Sequence, residues 1–221
     1  MGHIPGSGDC EARIDVWGQP ALLTTSVAYL VAAAFVLWWS RRHRAGTEPV
    51  PAVEVWAFAG GLGLAGLGSM DYHGPVVGPE PLLHDAGLGV ALVAALVMDL
   101  TGLGVRPAVR TWGLAGITLV AIATIAVTPD SSPLLAAVAG LAVLIAEFAV
   151  YRRGIRWPSP GLFAGAAVVA LAVAIYALSR TGGPLCHPQS WFQGHGVWHL
   201  LTAIAMSLWV VTALPLRKDT P

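Results

Sequence analysis

Seven long apolar stretches leave this chain little choice of fold. They lie near residues 20–40, 55–73, 82–105, 111–128, 133–151, 160–178 and 194–214. About twenty residues cross the hydrocarbon core of a bilayer as a helix. Lipid offers no partner to a free backbone amide, so these stretches are expected as helices. Only 11% of the chain is charged while 56% is hydrophobic; a soluble domain carries about a quarter charged residues. The links are short and rich in Pro, Gly and charge, as in PVVGPEP, TPDSSP and RRGIRWPSP. The expected architecture is all-α: one integral membrane bundle over 1–221, with seven transmembrane helices and a segment 1–19 ahead of the first. No soluble domain and no internal repeat is expected.

Basic residues orient the bundle. Arg41, Arg42, Arg44, Arg106, Arg110, Arg152, Arg153, Arg156, Arg217 and Lys218 fall on one side of the seven-span arrangement, and only Arg13 and Arg180 on the other. That split predicts the N-terminus outside and the C-terminus in the cytoplasm, in a multi-pass protein of the cell membrane. Trp17 and Trp191 read as outer interface anchors; Trp38, Trp39, Trp56, Trp112, Trp157 and Trp209 read as inner ones. The first twenty residues lack a basic start followed by an apolar run, so no cleaved signal peptide is expected. Acidic and basic residues are equal in number, and no basic patch suggests a nucleic-acid partner.

Within this apolar chain a few polar residues stand out. Ser69 and His73 lie one helical turn apart in GLGSMDYH, and His195 and His199 one turn apart in GHGVWH. The topology puts both pairs, with Asp85, within about two turns of the outer interface. His73, His195 and His199 are the candidate metal ligands. Zinc favours tetrahedral nitrogen coordination, and three histidines leave a position for water. Water so placed has a pKa lowered to about 7. Asp85 is placed to take or orient its proton, and Ser69 to hydrogen-bond the water or a developing oxyanion. The reaction this implies is hydrolysis of an amide or ester whose acyl chain lies in the bilayer. Each residue has a simpler use: His at a helix end as an interface residue, Ser69 satisfying a backbone carbonyl, Asp85 as an N-terminal helix charge.

GLGSMDYH, LLHDAGL and HGVWHLL, in that order on the second, third and seventh spans, resemble the alkaline ceramidase family. That family sits in a wider superfamily of seven-span hydrolases with the adiponectin-receptor and haemolysin III-like proteins. The opening CEARIDVWGQP is similar to the family's N-terminal motif. The resemblance implies a zinc amidase cleaving the N-acyl bond of ceramide, with zinc on His73, His195 and His199, a serine at Ser69 and an aspartate at Asp85. It also implies a disulfide between Cys10 and Cys186, which the topology places on the same outer side. An N-terminal calcium (Ca2+) site is implied too, but Gln19 stands where an acidic residue is expected, Leu22 where an Asn is, and Arg13 where a neutral or acidic ligand is. Asp9, Glu11 and Asp15 are the carboxylates left to build it, and Glu11 has an alternative use as a pair for Arg13.

Several residues stay outside this reading. His84 and His187 are possible fourth ligands. Asp99 and Glu147 lie near inner helix ends, where Arg106, Arg110, Arg152 and Arg153 invite pairing or snorkelling. Two rival functions remain open: a seven-span receptor or regulator with a closed structural metal site, and a membrane protein holding haem through histidine pairs. Arg in excess of Lys, with abundant Ala, Gly and Val, suggests a host poor in ceramide, so another N-acyl or ester lipid is an open substrate.

Overall fold

In a computed structural model the chain is helical throughout, with no β-strand among the described residues, 8–14, 17–43, 52–74, 82–155 and 159–213. The helices are α1 (Pro20–Thr25), α2 (Val27–His43), α3 (Ala52–His73), α4 (Leu82–Gly102), α5 (Pro107–Val127), α6 (Ser132–Arg152), α7 (Pro160–Leu178) and α8 (Gly194–Ala213). Seven helical segments are long and apolar enough to cross a membrane, the first being α1 and α2 together from Pro20 to Arg42. The protein is a multi-pass membrane protein, with seven such spans among the described residues. Asp15, Arg44, Arg156, Trp157, Arg217 and Lys218 lie outside the described residues.

The boundaries differ from expectation mostly at prolines. The fourth span starts at Pro107, and the fifth starts with a 3-10 turn at Pro129–Ser131 leading into α6. Proline suits a first helical turn because the N–H it lacks would have no partner there. Sequence hydropathy misses these turns because their side chains are polar or small.

Four helices share the core. Tyr29 and Val36 of α2, Phe58 and Leu62 of α3, Ala91 and Met98 of α4 and Val210 of α8 form one buried cluster. α5 and α6 pack on α4, and α7 packs on α8, leaving much of their apolar surface exposed, as lipid-facing helices require. Small residues let α3 and α4 approach backbone to backbone. A Cβ at Gly68 would stand 2.2 Å from the His84 backbone nitrogen. This contact brings the end of α3, with Ser69 and His73, against the start of α4, with His84 and Asp85.

Antiparallel alternation leaves two polar ends. At one lie the end of α3, the starts of α4 and α8, and α1. At the other, Glu54 of α3 accepts from Arg110 of α5 at 3.1 Å and from Thr101 of α4 at 2.9 Å, and Arg110 also donates to Thr101. Of the two expectations for Arg110, pairing and snorkelling, the structure shows pairing, with Glu54 as the partner. Glu147 is also buried and accepts from Trp209 Nε1, and Trp209 packs on Phe58 at 5.4 Å between ring centroids. Trp209 therefore faces inward, whereas Trp38, Trp56 and Trp112 are exposed as interface anchors should be.

Candidate metal centre

The three expected histidines converge. One ring nitrogen from each of His73, His195 and His199 lies within 4.8 Å of the others. The rings of His73 and His195 have centroids 5.2 Å apart, and those of His195 and His199 are 4.7 Å apart. His73 and His199 have no exposed surface, and His195 is 8% exposed.

The neighbours fix which nitrogen each ring presents. His73 Nδ1 lies 2.8 Å from Gln19 Oε1, while Gln19 Nε2 donates to the Glu11 carbonyl at 2.8 Å. A carbonyl can only accept, so the amide oxygen of Gln19 faces His73 and Nδ1 carries the proton. His195 Nδ1 lies 2.7 Å from Asp9 Oδ1, an acceptor. His199 Nδ1 lies 3.2 Å from Thr25 Oγ1, whose own proton goes to the Ala21 carbonyl at 2.8 Å. Each ring thus donates Nδ1–H to a partner behind it and turns Nε2 to the front. A ligating histidine is usually held in this way. His73 Nε2 is fully buried with no hydrogen-bond partner. A buried acceptor left so costs about 1–3 kcal/mol, and a cation at the centre would remove that cost. The donor set, three imidazoles, suits zinc.

Ser69 is in the cluster too. Its Oγ lies 3.4 Å from His199 Nε2 and 2.7 Å from Ser26 Oγ. Ser26 donates its proton to the Leu22 carbonyl at 2.7 Å, so Ser69 donates to Ser26. In this arrangement Ser69 presents lone pairs to the histidines and not a proton. Asp85 sits one step away. It accepts from His84 Nδ1 at 2.7 Å, and the His84 ring centroid is 6.3 Å from those of both His73 and His199. The structure thus gathers Ser69 with the three histidines and reaches Asp85 through His84.

Sequence reading does not place Asp9, Gln19, Thr25 or Ser26 beside the histidines; it sets Asp9 and Gln19 only against an N-terminal calcium site. The run Thr24-Thr25-Ser26 inside an apolar span, at the level of His199, was the available signal. Gly196 matters here, since a Cβ on it would stand 3.0 Å from Thr25 Oγ1; its lack of a side chain lets α1 lie against α8.

Cys10 and Cys186 form a disulfide, with Cα atoms 5.3 Å apart. Glu11 is not placed as a solvated loop charge. Its carboxylate is buried and accepts from the Ala21 and Leu22 amides at 2.8 and 3.0 Å, capping α1. Burial raises its pKa, opposed by these two amide hydrogen bonds. Asp9 accepts from Arg180 at 2.6 Å as well as from His195. Burial pushes its pKa up, while the hydrogen bond from His195 and the Arg180 guanidinium pull it down. Arg13 donates to the Tyr72 and Gly74 carbonyls at 3.3 and 2.7 Å. Asp9 and Glu11 are thus engaged by N–H donors, and Asp15, the third carboxylate expected for a calcium site, lies outside the described residues.

Comparison with known proteins finds no family model that matches this chain and no curated protein that matches it.

Proposed function

We propose that this protein is a zinc-dependent transmembrane hydrolase that cleaves the amide bond of a ceramide-like N-acyl lipid. The observation carrying this reading is the convergence of His73, His195 and His199 with each Nδ1 already hydrogen-bonded and the His73 Nε2 lone pair buried without a partner. Sequence motifs similar to those of alkaline ceramidases, on the same residues, supply the substrate class. Zinc supplies Lewis acidity toward a carbonyl oxygen and lowers the pKa of water toward about 7.

The side chains around the site do the rest. Ser69, with its lone pairs inward, accepts a hydrogen bond from the attacking water and aims it. The Asp85–His84 pair takes the proton as water oxygen bonds to the acyl carbon, and returns it to nitrogen as the carbon–nitrogen bond breaks. One amide and one water become one carboxylic acid and one amine. The site lies near the membrane boundary, so the acyl chain can remain in lipid while the scissile bond reaches it. Orientation with the N-terminus outside, from the basic residues, places this at the outer leaflet of the cell membrane.

A second reading follows from the position of His84. As a fourth ligand it would close the site and make the protein a receptor or regulator with a structural metal. Zinc content and a product screen on N-acyl lipids, run on wild type and His84→Ala, separate the two. The hydrolase reading expects zinc retained by His84→Ala with turnover reduced. Zinc lost from that variant, with no product from wild type, rejects it. A Soret band in the purified protein would reject both in favour of haem.

A further inference from the structure

The three hydrogen bonds behind the histidines come from one short stretch of chain. Asp9 holds His195, Gln19 holds His73 and Thr25 holds His199. The histidines themselves come from α3 and α8, the two helices that α1 packs against. We propose that residues 9–14 and 17–25 are the positioning element of the metal centre: they select the Nδ1–H form of all three ligands and turn their Nε2 atoms to one point. This rests on the metal site proposed above but not on the hydrolytic activity.

The segment is built to be held in register. The Cys10–Cys186 disulfide ties it to the loop before α8. Beside that bond, Ala12 N donates to the Pro188 carbonyl at 2.9 Å and Thr181 Oγ1 to the Asp9 carbonyl at 3.0 Å. At the far end Gln19 N donates to the carbonyl of His73 itself at 2.7 Å. The chain is thus fastened on both sides of Asp9 and Gln19, to the loop leading into one ligand helix and to the last residue of the other. Asp9 and Gln19 are 7% and 0% exposed. A buried carboxylate facing one imidazole and a buried amide facing another have costs that packing alone does not require. Both costs are offset if the imidazoles must be aimed.

Gln19 offers a clean test because its two ends do different things. Nε2 braces the segment through Glu11, and Oε1 faces the ligand. Gln19→Leu removes both. Gln19→Glu removes the brace but keeps an oxygen for His73 Nδ1–H. Zinc affinity of the full-length protein in detergent is read by competition with a chromogenic chelator, and the cobalt-substituted protein gives a visible spectrum of the site. Loss of such a partner weakens metal affinity about 10–100-fold. We expect that loss in Gln19→Leu and in Asp9→Ala, with Gln19→Glu staying within about threefold of wild type and Asp9→Asn falling between. The cobalt spectrum should shift in the two weakened variants. Reducing the disulfide should also weaken zinc binding. Equal losses in Gln19→Leu and Gln19→Glu would overturn the proposal, since only bracing would then matter. Wild-type affinity in all four variants would overturn it while leaving the metal site standing. Wild type that binds no zinc removes both.

Discussion

The two polar ends of the bundle answer the same problem in opposite ways. At one end a buried acid meets a buried base: Glu54 and Arg110 face each other, and Thr101 bonds to both. At the other end three buried bases face each other with no acid between them among the described residues, and the groups that hold their Nδ1 atoms all lie behind. The first arrangement is closed and joins three helix ends. In the second, the histidines converge and the buried His73 Nε2 has no hydrogen-bond partner, which is the ground for proposing a cation there. Buried polarity in a membrane protein is costly either way; the direction of the hydrogen bonds tells a brace from a site.

That contrast can be broken or sharpened. The largest effect is expected from His195→Ala, which should abolish stoichiometric zinc in elemental analysis and turnover with it. Zinc retained at wild-type level would show that the open end is no metal centre. Asp85→Ala should keep zinc and lose turnover by about 10²–10⁴-fold, the usual worth of a placed proton acceptor. Unchanged turnover would remove Asp85 from the reaction. Arg110→Ala belongs to the other end. Leaving Glu54 as an unpaired buried charge should cost about 3–5 kcal/mol of stability, seen as an earlier thermal transition in detergent, with zinc content unchanged. Loss of zinc in that variant would mean that the two ends are coupled. Ser69→Ala is expected to be smallest, about tenfold in turnover, because a single neutral hydrogen bond contributes about 0.5–1.5 kcal/mol. A much larger fall would mean that Ser69 turns to donate its proton to the developing oxyanion, as its position in the motif first suggested.

The spacing of Ser69, His73, His195 and His199 made those residues legible before any coordinates. One helical turn fixes which pairs share a face, and span counting fixes which ends meet. Asp9 and Gln19 were not legible in the same way. They lie outside any helical period, and as single residues they read as ligands or losses of an N-terminal ion site. For Arg110 the partner was not legible, for a related reason. Its neighbours in sequence suggest the interface, while its partner, Glu54, is 56 residues away.

Hydropathy alone determined seven helices in a membrane, because a lipid-facing backbone has no other way to satisfy its amides. Helical period then set which polar side chains could face one another. Tertiary structure decided what those side chains do. A histidine has two nitrogens, and sequence cannot say which is held and which is free. Here that choice is made by Asp9, Gln19 and Thr25, brought behind the rings by a disulfide and by the packing of α1 against α8.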